Sequence, residues 1–282
     1  MGDENRSKLN RLERDLPEGL LVTAAWLDER GYYPSLRKKY VDLEWLDSPV
    51  RGVYRRRRGS ITWQHVVISL QNLLDIPLIV GGRTALELQG YAHFLSHRRQ
   101  VIHLYGRERP PTWLAKLKLE ERFIAHKSTR LFHNEPITRG LVNLSVNLET
   151  GELFNHDPLR SHFSAQRWGQ WDWPLLTSTS ERAFLELLDD LPDNESFHQV
   201  DMLAEGLASL SPRRLQKLLL DCRSVKVKRL FFFFADRHRH AWLKHLDKNA
   251  IDLGRGKRML VKGGKLDPVY QITVPEDLDA VS

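Results

Sequence analysis

The chain has 282 residues, 41 % hydrophobic and 28 % charged, enough apolar content to bury a core and enough length for two domains. It carries a net charge of +7 and one cysteine, Cys222, which excludes an intrachain disulfide and a thiolate zinc cage. No apolar run reaches the roughly 20 residues of a membrane helix, and Met1 to Arg14 is charged and has no signal-peptide core, so a cytoplasmic protein is expected. The charge is unevenly spread. Residues 30–60 hold nine Lys/Arg against three Asp/Glu, and residues 211–265 hold sixteen against four. Between them, residues 181–205 carry eight acids and a single Arg182. Two basic regions separated by an acidic one suit a polyanionic partner.

In chain order, a short helix is expected over 6–15, ending near Pro17. Leu20 to Arg30 reads as a second helical segment, with Thr23 as its N-cap and Gly31 as its stop. Pro34 and Ser35 open a third helix running to about Trp45, with Leu36, Tyr40 and Leu43 spaced by four and three. From Leu46 to Arg56, turn residues followed by Val50, Gly52, Val53 and Tyr54 read as a β-hairpin. A helix over Thr62–Leu74, an apolar run at Pro77–Val80 and a helix over Thr84–Gly90 follow, and the helices at 62–91 suit either domain. Beyond His93 the pattern mixes strand candidates (101–105, 122–133, 140–155) with a helical stretch over 179–247, broken at Pro192 and Pro212. Strands return near 258–262 and 269–274. The fold class is α+β, with an N-terminal winged helix-turn-helix over residues 1–95 and a larger mixed C-terminal domain over 96–282.

Two short helices joined by a glycine-containing turn, then a two-stranded hairpin, is the layout of a winged helix-turn-helix. The second helix would present Ser35, Arg37 and Lys38 to base edges, since arginine and lysine suit guanine O6 and N7. Lys39 and the hairpin arginines, Arg51, Arg55, Arg56, Arg57 and Arg58, would meet phosphates. In an extended strand Arg55 and Arg57 fall on one side and Arg56 and Arg58 on the other. The plainer alternative is a solvated arginine loop on a domain that binds protein or RNA without operator specificity.

The ordered set Trp26-Leu27, Gly31-Tyr32, Lys39-Tyr40-Val41, Trp45-Leu46, Arg51 to Arg56, Trp63, Leu70-Gln71 and Val80 to His93 resembles the N-terminal domain of AbiEi-type antitoxins. Thr179 to Ala183, Val225 to Phe231, Leu253 to Arg258 and Tyr270 to Pro275 resemble the same family's C-terminal domain. The resemblance implies a DNA-binding transcriptional repressor of a type IV toxin–antitoxin (abortive-infection) operon. It would bind inverted repeats in its own promoter and counter a nucleotidyltransferase-like toxin without a stable complex. Where the family usually has a glycine before the tryptophan, Glu44 stands here, so a differently shaped helix end is expected.

A second basic surface, comprising Lys226, Lys228, Arg229, Arg255, Lys257 and Arg258, is expected to carry a further activity. No cofactor and no metal are expected. Val80-Gly81-Gly82 lacks the Lys-Ser/Thr of a phosphate loop, and at helical spacing His238 faces with His245, two turns on, but not with His240, with no His-Glu-x-x-His motif nearby. Trp168, Trp171 and Trp173 suit core or interface packing better than base stacking, and Phe231 to Phe234 suit a buried helix face. There is no nucleophile elbow, no catalytic signature around the cysteine, and no Gly-Ser with paired strand aspartates. The sequence thus points away from an enzyme.

Overall fold

The computed structural model describes residues 2–91, 100–134, 136–142 and 162–279, with side chains from Ser7 to Leu278 within them. Helix α1 (Gly2–Asp15) buries Leu12, and Leu16 just beyond it, against the following elements. Strand β1 (Leu21–Thr23) leads into α2 (Ala24–Glu29), whose first turn is capped by Thr23 Oγ1 accepting from the Trp26 amide at 3.2 Å. Helix α2 ends at Gly31, φ +83°, where the Gly31 amide donates to Asp28 O and the Tyr32 amide to Leu27 O. This pair of bonds is the left-handed helix stop that favours glycine. Helix α3 (Pro34–Asp42) starts on a proline, whose missing N–H costs nothing at a first helical position.

The end of α3 repeats the stop with a different residue. Glu44 has φ +62°, its amide donates to Val41 O, and the Trp45 amide donates to Tyr40 O. The expectation of a differently shaped helix end is therefore corrected. Glu44 takes the left-handed conformation a glycine would take, at a conformational cost. Strands β2 (Leu46–Val50) and β3 (Val53–Arg56) form the hairpin, turning at Arg51-Gly52 with Gly52 at φ +80°. Strand β3 lies between β1 and β2, both antiparallel to it. This element order and pairing match the winged-helix layout.

Helix α4 (Trp63–Ile68) widens into a π-helical turn at Ser69–Leu73. Ser69 Oγ donates to His65 O at 2.6 Å and accepts from the Leu21 amide at 2.8 Å, tying the widened turn to β1. Five further strands make one mixed sheet: β4 (Ile79–Val80), β5 (Val101–Gly106), β6 (Arg122–Lys127), β7 (Phe163–Trp168) and β8 (Trp173–Ser178). Their order is β6-β5-β4-β8-β7, with β5/β6 and β4/β8 parallel. Helix α5 (Gly82–Leu88) follows β4 directly, so residues 79–88 carry the chain from the centre of this sheet into the helix beside it.

Alternation along the strands sends Val80, Ile102, Leu104 and Leu175 into one core with Val66 and Val67 of α4 and with Leu21, Tyr40 and Val53 of the winged helix. The other face carries His103, Tyr105 and His126 toward the helical layer. That layer contains α6 (Ser180–Asp189), α7 (Phe197–Gly206), α8 (Pro212–Asp221) and α9 (Val225–Arg237). Phe231, Phe232 and Phe234 of α9 are fully buried, each contributing about 2–3 kcal/mol through apolar burial. A two-stranded ribbon, β9 (Lys265–Leu266) with β10 (Thr273–Val274), closes the chain.

Three expected strands differ. The one near 122–133 stops at Lys127 and gives way to a 3-10 turn at Ser128–Arg130. Leu141 and Val142 are helical, and the remainder of 140–155 lies outside the described residues. Near 258–262 only a single bridge forms, between Arg258 and Ile272, because Thr273 Oγ1 takes the amides of Leu260 and Val261. Among the described residues no helix is long and apolar enough to cross a membrane.

Candidate nucleic-acid interface

Helix α3 has two faces. Tyr40 is fully buried, edge-on to Trp45 with ring centroids 5.1 Å apart. Ser35, Lys38, Lys39 and Asp42 are exposed. Arg37 falls on the buried face, only 7 % exposed, which corrects its expected place among the base-reading residues. Its guanidinium donates to Tyr32 O at 2.8 Å, to Ala24 O at 3.4 Å and to the Asp28 carboxylate. Arg37 therefore clamps α2 to α3, and the spacing that puts Ser35 and Lys38 outward turns it inward.

The arginines of the hairpin divide in the same way. Arg55 is bound within the fold, its Nε donating to Asp47 Oδ2 at 3.1 Å and its terminal nitrogen to Gly59 O at 2.6 Å. Arg56 lies near Glu13 at 3.5 Å and Glu18 at 3.3 Å, with 19 % of its side chain exposed. Arg57 pairs with Glu44, and Arg58 is 82 % exposed, 3.6 Å from Glu18. Arg51 stands exposed at the hairpin turn. The alternation read from the strand holds: Arg55 and Arg57 meet one set of acids, Arg56 and Arg58 another. Lys38, Lys39, Arg51, Arg57 and Arg58 are thus the cations that reach solvent, and the Glu44–Arg57 pair sets the hairpin beside the end of α3. Tyr33 (63 %), Leu43 (46 %) and Trp45 (39 %) add exposed apolar surface around α3.

Residues 99–275 match the family described as transcriptional regulator, AbiEi antitoxin, type IV toxin–antitoxin system, and residues 5–97 match the AbiEi antitoxin N-terminal domain. The chain belongs to the AbiEi family of type IV antitoxin transcriptional regulators. No curated protein matches it. Among solved structures it is similar to the RV2827C protein from Mycobacterium tuberculosis, at 16 % identity and a TM-score of 0.57, over 97 % of this chain and 92 % of that one. At that identity the likeness concerns the fold alone.

The expected C-terminal basic surface is likewise split. Lys226 closes the end of α6, donating to Asp189 O and to Leu191 O at 2.8 Å. Lys228 is buried, and Arg229 is buried while donating to Leu253 O, Gly256 O and Gln271 O. The burial of Lys228 and Arg229 corrects their placement on a surface, and Lys226 is half-buried and held by backbone carbonyls. Arg255, Lys257 and Arg258 are exposed. His238 meets Asp201 and His240 meets Ala204 O, so the two histidines serve separate partners. Trp168 and Trp173 pack on the core, while Trp171 is 62 % exposed.

Sequence reasoning missed a polar cluster behind the sheet. Glu186, fully buried, accepts from the Gly82 amide (3.0 Å), Ser178 Oγ (3.1 Å) and Arg182 Nε (2.8 Å). Burial pushes its carboxyl above the usual range although Arg182 and these donors oppose the shift. Arg182 in turn stacks over Phe132 and Phe163, at 4.3 and 5.0 Å from the ring centroids. Beside it lie His103, Tyr105, His126 and Asp190. A signal existed in the polar residues at alternate positions of apolar strands 101–106 and 122–127. Only the parallel register, which sets Tyr105 opposite His126, brings them together.

Proposed function

We propose that this AbiEi-family regulator is an operator-binding autorepressor. It would bind inverted repeats in its own promoter through the exposed face of α3 and the hairpin wing. Ser35 and Lys38 would face base edges, and Lys39, Arg51, Arg57 and Arg58 would face phosphates. What carries the reading is the solvent-facing row of cations on two adjacent elements, α3 and the wing, joined at Glu44 and Arg57. Its antitoxin role would be to counter a nucleotidyltransferase-like toxin in the cytoplasm, acting by binding and not by catalysis. The exposed Tyr33, Leu43 and Trp45 favour a second reading, in which the same face docks on protein.

Binding to the protein's own upstream DNA, against a scrambled fragment, separates the two. About four to five phosphates neutralised per copy give a slope of log K against log salt near −4. Selective binding that falls steeply between about 50 and 200 mM salt supports the repressor. Binding indifferent to sequence removes it in favour of the second reading.

A further inference from the structure

The described residues contain four buried carboxylates: Glu181, Glu186, Asp190 and Glu195. Three have an arginine of their own, Arg214 for Glu181, Arg182 for Glu186 and Arg83 for Glu195. Among the described residues Asp190, 7 % exposed, has ion-pair contacts only with two imidazoles, His103 and His126. A buried carboxylate without a cation is costly, so the exception calls for one.

The three side chains converge from separate elements. His103 and His126 lie on the same face of the parallel strands β5 and β6, two register positions apart, and Asp190 sits at the end of α6. His103 Nδ1 is 3.0 Å from His126 Nε2, within hydrogen-bonding distance, and 3.3 Å from Asp190 Oδ2, while the other ring nitrogen of His126, Nδ1, is 3.6 Å from the other carboxylate oxygen, Oδ1. One ligand atom from each lies within 4.8 Å of the others. A tetrahedral ion with bonds of about 2.0–2.1 Å holds its ligand atoms about 3.3 Å apart. Two imidazoles and one carboxylate suit a zinc-class ion, not magnesium or calcium, which prefer all-oxygen sites.

The surroundings hold the ligands in place. Asn194 Nδ2 donates to Asp190 Oδ1 at 3.3 Å. Thr84 Oγ1 accepts from the His103 amide at 3.0 Å and donates to Val101 O at 3.2 Å, fixing β5 under α5. His126 is stacked on Tyr105, ring centroids 4.4 Å apart, and keeps 18 % of its side chain open to solvent, which gives an ion a way in. Tyr105 Oη donates to Asp190 Oδ2 at 3.5 Å.

We propose that His103, His126 and Asp190 form a binding site for one divalent zinc-class metal ion that fastens the β5–β6 edge of the sheet to α6. The site lies on the sheet face opposite the winged helix and does not depend on the DNA-binding reading.

The test uses full-length protein stripped with chelator. Zinc titrated calorimetrically should bind at one equivalent per chain and raise Tm by about 5–10 °C at a hundredfold excess over Kd. Cobalt should give the visible absorption of a four- or five-coordinate nitrogen–oxygen site. His126→Gln, at the most open ligand, should weaken zinc at least tenfold, while His245→Gln, on the exposed surface, should leave it unchanged. Wild-type protein that shows no saturable one-to-one zinc binding overturns the site, as does His126→Gln binding zinc like the wild type. The wild-type cobalt spectrum decides the matter by itself should the variant not fold.

Discussion

Glu44 and Arg57 form an ion pair that joins the end of helix α3 to the base of the wing. Glu44 holds a left-handed backbone, φ +62°, which costs a non-glycine residue about 1 kcal/mol. Its side chain is 68 % exposed and that of Arg57 54 %, so the pair itself returns at most about 1 kcal/mol. Glu44→Gly should leave stability within about 1 kcal/mol of the wild type, because relieved strain offsets the lost pair. Glu44→Ala keeps the strain, loses the pair and should be the less stable of the two. Both remove an anion from the interface and spare Arg57 the exchange of Glu44 for a phosphate, so both should bind operator DNA more tightly at an unchanged salt slope, since Arg57 is already one of the phosphate contacts. Affinity unchanged in both variants would show that Arg57 does not leave Glu44 for a phosphate.

Arg37 and Lys38 are neighbours with opposite duties. Arg37→Ala removes the buried clamp between α2 and α3 and should cost about 2 kcal/mol, with the Asp28 carboxylate partly rescued by solvent. Arg37→Lys should restore it only in part, because the lysine ammonium ends about one bond short of Nη1, the single arginine nitrogen that makes all three bonds. Lys38→Ala should leave Tm unchanged and relax sequence preference. Thermal melts and competition binding check both. A normal melt for Arg37→Ala together with lost DNA selectivity would return Arg37 to the exposed face.

The wing arginines should separate along the same line. Arg57→Ala with Arg58→Ala should keep Tm and flatten the salt slope by about two units per bound copy. Arg55→Ala should lower Tm, since it unties Asp47 of β2 and Gly59 of the following loop. Equal effects of the two sets on the slope would mean that Arg55 leaves Asp47 when DNA binds.

What the sequence made legible is local chemistry. Thr23, Gly31 and Pro34 mark helix ends by their own conformational preferences, and the Val50 to Tyr54 pattern marks the hairpin; each is found where expected. Composition could not tell which arginines of 30–60 are spent inside the fold. That depends on Asp28, Asp47, Glu13 and Glu18, which reach Arg37, Arg55 and Arg56 only after the helices and strands have packed. The same limit hid the cluster around Asp190. His103 and His126 are 23 residues apart and Asp190 is 64 beyond His126, so nothing short of the β5–β6 register and the placement of α6 joins them. Residues 79–88, whose pattern suits either domain, are hard to place for a related reason: a two-residue strand carries almost no period, yet Ile79–Val80 occupies the centre of the five-stranded sheet.

His162 gives the fold a defined acid sensitivity. It precedes β7, and its buried Nδ1 has no hydrogen-bond partner among the described residues. Burial first, then the positive charges of Arg182, Lys217 and Arg214, lower its pKa to about 4, with Asp221 opposing. In the unfolded chain the imidazole titrates near 6.5. Between those values the unfolded state holds a proton that the folded state refuses, so stability rises with pH across the window. The contribution is complete above about pH 6.5, erodes as pH falls toward 4 and is constant below. Burial lowers the imidazoles of His65 and His240 in the same direction. Thermal melts from pH 7.5 to 4 should therefore show a falling Tm. His162→Gln, which cannot titrate, should flatten that fall while leaving part of it to the other histidines. Wild type and variant losing Tm in parallel across the window would mean that His162 is already free to take its proton in the folded chain.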